Sequence, residues 1–123
     1  MKRKFRLSDK EQFQRVRREG RSWSNRMTVL CAKRNDLGHN RYGFAVGRRI
    51  GKAVIRNRVK RLMREVVRLR RDTLESGWDL VFIARGPIRG ATFQTVDDMV
   101  TQLLYRAALL VEHNDEDTST GTD

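Results

Sequence analysis

Gly43–Arg71, GFAVGRRIGKAVIRNRVKRLMREVVRLRR, is the segment on which the reading of this 123-residue chain turns. It carries eleven Lys and Arg side chains and a single acid, Glu65. Ile55, Val59, Leu62, Met63, Val66 and Leu69 recur at steps of three and four, the period of a helix with one apolar stripe. Wound at about 100° per residue, the same helix puts Asn57, Lys60, Arg61, Arg64, Arg68 and Arg71 on the opposite side, with Arg56 and Arg58 at the two borders. One face is built to pack and the other is a cationic ridge. A merely solvated face usually mixes signs along i, i+4 pairs. Here like charges repel at that spacing, and a polyanion such as a phosphate backbone relieves the repulsion.

Upstream, Gly43-Phe44-Ala45-Val46-Gly47 reads as a short strand and Arg48-Arg49-Ile50-Gly51-Lys52 as the loop leading into the helix. This strand, basic glycine-bearing loop and Arg56-Asn57-Arg58 helix start resemble the protein subunit of bacterial ribonuclease P. The resemblance is carried by GFAVGRRIGKAVIRNRVKRLMRE as a whole, including the spacing from Ile50-Gly51 to Arg56-Asn57-Arg58. It extends from Ser8 to about Val111.

Composition sets the outer bounds. The length suits one domain with a single core. Lys and Arg total 27 against 15 Asp and Glu, a net charge of +12. Residues 112–123 hold five of the acids (Glu112, Asp115, Glu116, Asp117 and Asp123) and no Lys or Arg, so the remainder carries +17. That imbalance favours a nucleic-acid partner over an acidic small molecule, and no small-molecule substrate is expected. The longest apolar runs, Leu80–Ala84 and Ala107–Val111, are too short to span a bilayer. With no signal-like apolar segment and a single cysteine, Cys31, the expected location is cytoplasmic. Cys31, His39 and His113 lack metal-ligand spacing; they read as a small strand residue and two surface residues.

In chain order, Met1–Leu7 is basic and expected to be flexible, with Phe5 and Leu7 able to pack. Ser8 and Glu11 fit a capping box for a helix over Asp9–Glu19, ending at Gly20, with Phe13 and Val16 inward. Arg21–Ser24 adds a short extended piece. Met27–Ala32 reads as a strand, and the turn formers of Lys33–Arg41 predict an antiparallel hairpin with Tyr42–Gly47. After the basic helix come a connection, Asp72–Gly77, and an apolar strand, Trp78–Ala84, ended by Arg85-Gly86-Pro87. Phe93, Val96, Val100, Leu103, Leu104, Ala107 and Val111 mark a final helix, with Thr95 as N-cap and Asp97 and Asp98 in its first turn. Trp23 and Trp78 read as core or sheet-edge residues. The domain is expected to occupy residues 1–111. The acidic stretch 112–123 is expected to be disordered, and deletion of residues 113–123 to strengthen binding to unrelated RNA at low salt.

The expected class is α+β, a small α/β sandwich of about four strands and three helices. The resemblance further implies that the basic helix makes a left-handed βαβ crossover; pattern alone favours the common right-handed one. It also implies a role: ribonuclease P removes the 5′ leader of precursor tRNA, its RNA is the catalyst, and the protein assists. The scattered acids agree with that division, because protein-borne Mg²⁺ chemistry needs clustered carboxylates. Mg²⁺ is expected as a cofactor held mainly by the RNA subunit and the substrate, and no catalytic residue is assigned. Arg48, Arg49, Lys52, Arg56, Arg58, Lys60, Arg61, Arg64 and Arg68 would bind phosphates of the catalytic RNA. Asn57 either bonds an RNA base or ribose or caps the basic helix. The resemblance places the leader in a cleft between the first helix and the sheet, where Phe13, Arg17 and Arg85 are the candidate contacts. Phe13 is equally readable as core. Arg17 and Cys31 stand where the family often has aromatics, which shifts leader binding from stacking toward charge. A structural RNA-binding protein with no part in cleavage is the rival reading. A dimeric DNA reader is disfavoured by the absence of a dimer seam, and a membrane-surface anchor by an apolar face already used by the core.

Overall fold

The computed structural model describes residues 2–111. Helix α1 spans Lys10–Glu19, strand β1 Arg21–Ser24, β2 Thr28–Arg34 and β3 Arg41–Ala45. Helix α2 spans Ala53–Arg70, strand β4 Trp78–Ala84 and helix α3 Phe93–Arg106. The sheet order is β1-β2-β4-β3, with β4 antiparallel to β2 and parallel to β3. This is the expected α+β class.

Strand β4 lies at the centre because its sequence, WDLVFIA, is apolar on both faces, and Asp79 through Phe82 are buried. Its central position corrects the expected β2–β3 hairpin. The turn formers between those strands hold the entrance to β4 instead. The Asn35 amide donates to Asp79 at 2.9 Å, and the Trp78 N–H donates to Asn40 Oδ1 at 2.8 Å. The Asn35–Asn40 loop therefore straddles β4 and delivers β3 to its far side. Strands β3 and β4 become parallel neighbours joined through α2.

One face of the sheet packs against α2 and α3 through Leu30, Ala32, Tyr42, Leu80 and Phe82. The other carries α1 over a smaller cluster of Leu7, Val16, Cys31 and Val81. The N-terminal stretch is tied down rather than loose. Leu7 is buried, its N–H donates to Tyr42 O at 2.8 Å, and Phe5 is half-buried.

Both cap assignments move by a few residues. Asp9, not Ser8, caps α1, its carboxylate accepting from the Glu11 N–H at 2.9 Å. Thr92, not Thr95, caps α3, and Asp97 and Asp98 lie beyond the first turn. Gly20 does end α1, but in an extended conformation (φ −82°, ψ 175°). Glycine is required there by closeness, since a Cβ would lie 2.5 Å from Ala32 O. Helix α3 stops at Arg106, after which Leu110 pairs with Leu74. Trp23 and Trp78 are half-buried beneath the guanidinium groups of Arg21 and Arg34, at 5.3 and 5.2 Å. The acidic stretch, including His113, lies outside the described residues.

Candidate nucleic-acid interface

The apolar side of α2 is Val59, Met63, Val66 and Val67, all fully buried, with Ile55 and Leu62 half-buried. Leu69, expected in this stripe, is 56% exposed. The helix packs against both α3 and β3, and the buried arc shifts to enclose Val67.

Opposite that arc, Asn57, Arg58, Arg61, Arg64 and Arg68 are exposed and Lys60 is half-buried. Arg48, Arg49 and Lys52 are exposed in the turn and residue preceding the helix. No side chain caps the N-terminus of α2, and no acid sits in its first turn. The positive end of the helix dipole and its unpaired N–H groups therefore add to the potential of these cations. Arg48, Arg49, Lys52, Lys60 and Arg61 make no side-chain hydrogen bond or ion pair within the described residues.

The other cations are partly engaged. Arg56 is half-buried, and its Nε donates to Gly51 O at 3.1 Å, fixing the loop to the helix. Arg58 reaches Ala91 O at 3.4 Å. Arg68 forms a bidentate pair with Glu65, at 3.0 and 2.7 Å; the donated hydrogen bonds hold the Glu65 carboxyl below its ordinary range. Arg71, expected on the ridge, lies 5.3 Å over the Phe5 ring. Arg70 is bound by the buried Asp97. Asn57 is the fifth helical residue, beyond the Lys52 cap position, so it does not cap the helix.

Beside the ridge, a cleft of about 340 Å³ opens between the N-terminal segment, β3 and α2. Its walls are Arg6, Leu7 and Ser8, then Phe13, then Tyr42, Gly43 and Phe44, then Lys60 and Arg64. Gly43 is needed here: a Cβ would lie 2.8 Å from the Phe13 ring, which rests on the strand backbone. Phe44 stacks on Phe82 at 5.6 Å and lies 5.9 Å below the Arg64 guanidinium. Phe13 is half-buried, packed in the α1 cluster and lining the cleft.

Arg17 is exposed one turn further along α1, close enough to Cys31 to pull its thiol pKa down against the larger upward push of burial. Arg85 sits just beyond β4, where its guanidinium donates to Asn25 O at 3.0 Å, and it does not line the cleft. Sequence reasoning passed over Arg6, Ser8 and Phe44. Only the strand alternation of Tyr42 and Phe44 hinted at the last. Among the described residues, no three His, Cys, Asp or Glu side chains converge on a metal-sized site, and no helix is long and apolar enough to cross a membrane.

The family model described as Ribonuclease P matches residues 1–108. The chain belongs to the ribonuclease P protein family. It is 46% identical over 111 residues to the ribonuclease P protein component of Roseiflexus castenholzii, covering 89% of this chain and 91% of the relative. It is 42% identical over 106 residues to that of Caldanaerobacter subterraneus, covering 86% and 91%. The solved ribonuclease P protein of Staphylococcus aureus superposes with a TM-score of 0.81 at 29% identity, over 86% of this chain and 97% of that one. That of Thermotoga maritima gives 0.76 at 32% identity, over 82% and 96%. As a ribonuclease P protein component the chain has an RNA partner.

Proposed function

We propose that this chain is the RNA-binding subunit of a cytoplasmic ribonuclease P, with the enzyme's catalytic RNA and precursor tRNA as its partners. The observation that supports this most is the unbalanced cationic face of α2, which begins at an uncapped helix N-terminus and continues into an aromatic-lined cleft. Arg48, Arg49, Lys52 and Arg61 take phosphates of the catalytic RNA, with Arg56 and Arg58 held in place beside them. Exposed Asn57, surrounded by arginines, bonds a base or ribose. The single-stranded leader follows the α1 side, with Phe13 as a stacking surface and Arg17, Lys60 and Arg64 on its phosphates. Arg85 adds a cation at the end of β4.

The protein supplies positioning and charge rather than bond-breaking groups. Its buried or partnered acids are already committed: Asp79 to Arg41, Asp97 to Arg70 and Glu65 to Arg68. In this reading the Mg²⁺ of the reaction is held mainly by the RNA and the substrate. By neutralising phosphates, the ridge lowers the Mg²⁺ concentration the RNA needs.

Cleavage of a precursor tRNA by the cognate catalytic RNA at low Mg²⁺ tests this reading. The wild-type protein is expected to restore cleavage, and a folded Arg56→Ala/Arg58→Ala variant to fail. If the wild type binds RNA and leaves cleavage unchanged, the chain acts as a structural RNA-binding protein instead.

A further inference from the structure

We propose that a groove on the far flank of α1, floored by Lys33, Asp79 and Arg41 and walled by Arg15, is a phosphate site that takes one phosphodiester of a bound RNA strand. It shares no residue with the α2 ridge or with the Phe13 cleft.

Strand register builds the floor. Lys33 pairs with Asp79 across β2 and β4, and Arg41 with Asp79 across β3 and β4, so the three residues stand in one row across the sheet. Two residues away on each strand, Cys31, Val81 and Gly43 form the neighbouring row. Residues two apart share a face of a sheet, and Cys31 and Val81 pack in the α1 cluster. The charged row therefore lies on the α1 side. Helix geometry builds the wall. Val16 points down onto that cluster, and Phe13 and Arg15 lie about 60° and 100° round the helix from it, in opposite directions. Phe13 lines the cleft already described, and Arg15 borders the charged row. The groove measures about 160 Å³. That is below the roughly 300–1,000 Å³ of a small-molecule pocket and suits one phosphate group rather than a whole nucleotide.

Charge decides the ligand. Arg15, Lys33, Arg34 and Arg41 line the groove against Asp36 and Asp79. Asp79 is 6% exposed and fully committed, accepting from Arg41 Nε and Nη2 at 2.9 and 2.7 Å and from the Asn35 amide at 2.9 Å. A buried ion pair gives little net stability over an apolar pair of similar volume, yet this one interrupts the apolar run of β4. Its effect is to hold the Arg41 guanidinium in place with Nη1 unused. Arg34 is drawn over Trp78 at 5.2 Å. Arg15 and Lys33 make no side-chain hydrogen bond or ion pair within the described residues. A fixed guanidinium edge beside two open cations is a cradle for an oxyanion, and the RNA partner supplies phosphodiesters.

The test compares three full-length proteins: wild type, Arg15→Ala/Lys33→Ala, and Lys2→Ala/Lys10→Ala, which removes the same charge at exposed positions outside the groove. Inorganic phosphate, added at constant ionic strength, should move the Arg41 Nε–H resonance of the wild type saturably and leave that of the groove variant in place. With a single-stranded RNA, the groove variant should show a slope of log affinity against log salt lower by about 0.7, one phosphate contact. The control variant should keep the wild-type slope. An Arg41 resonance that ignores phosphate in the wild type overturns the site. A response to phosphate with an unchanged RNA slope makes free phosphate the ligand and overturns the RNA assignment. An equal loss of slope in both variants assigns the effect to net charge and overturns it as well. None of these readings passes through cleavage, so they stand apart from the test of the ribonuclease P role.

Discussion

Glu65→Gln should make RNA binding more sensitive to salt, and the size of the effect follows from one ion pair. In the free protein Arg68 spends two N–H groups on Glu65, at 3.0 and 2.7 Å, so it is the ridge cation least available to a phosphate. Replacing the carboxylate by an amide removes the competing charge and releases about one further phosphate contact. Each contact adds about 0.7 to 0.9 to the slope of log affinity against log salt. Between 50 and 200 mM salt the variant should therefore lose about threefold more affinity than the wild type, from a tighter starting point. Arg61→Ala, which removes a cation with no partner in the described residues, should lower the slope by the same amount; Arg68→Ala should change it far less. Fluorescence anisotropy with a labelled fragment of the catalytic RNA, at four salt concentrations, reads all four proteins. The reasoning is refuted if Arg68→Ala costs as much slope as Arg61→Ala while Glu65→Gln has no effect, because the pair would then open on binding without penalty.

Asp97 ties α2 to α3 by accepting from Arg70 and from the Thr101 hydroxyl. Asp97→Ala should lower stability in urea unfolding by about 2 kcal/mol, the range for hydrogen bonds to a charged group, and Asp97→Asn by less. Gly20→Ala puts a Cβ 2.5 Å from Ala32 O and 2.6 Å from Val16 O; it should cost about 1–3 kcal/mol. Gly47→Ala, with nothing within 4 Å, should be near neutral in the same measurement. The Cys31 thiol is pushed up by burial and pulled down by Arg17, so alkylation at pH 8 should be slow until the chain unfolds, and slower still in Arg17→Ala. The Glu65 carboxyl is depressed, so its pair with Arg68 is complete above the ordinary carboxylate range and is lost only as pH falls through the depressed value. The salt slope of the wild type should accordingly stay constant from pH 8 to about 5, above ordinary carboxylate titration.

The fold was legible wherever a local period decided it. Val59, Met63 and Val66 announce the buried side of α2, and the doubly apolar run WDLVFIA announces a central strand. Legibility failed where two neighbours could do the same job or where partners were distant in sequence. Ser8 and Asp9 are both competent N-caps, as are Thr92 and Thr95, and propensity does not choose between them. The hairpin reading failed for the second reason. Asn35 and Asn40 look like turn formers, yet their side chains bind Asp79 and the Trp78 N–H, some forty residues away. The ridge was legible as a list of cations but not in its pairing. That Arg70 is consumed by Asp97 while Arg61 stays open depends on α3. That Arg6, Phe44 and Arg64 share a cleft depends on an N-terminal segment lying along β3.

These pairings divide the ridge into two unequal halves. Toward the C-terminus of α2, Arg68, Arg70 and Arg71 are engaged by Glu65, Asp97 and the Phe5 ring. Toward the N-terminus, Arg48, Arg49, Lys52 and Arg61 have no such partners, and the helix dipole adds to their charge. The free protein tolerates that concentration because the opposite side of the same helix is fixed by Val59 and Met63, both completely buried. Burial of a side chain of this kind stabilises by about 1.5–3 kcal/mol, more than the repulsion between exposed charges typically costs. The core can therefore hold the cations together before any RNA arrives. An approaching polyanion meets a preformed site at the loop end of α2 and a site that must exchange partners at the other. The first suits the dense phosphates of a folded RNA. The second gives up the Glu65 and Asp97 carboxylates or the Phe5 ring before its guanidinium groups can take a phosphate.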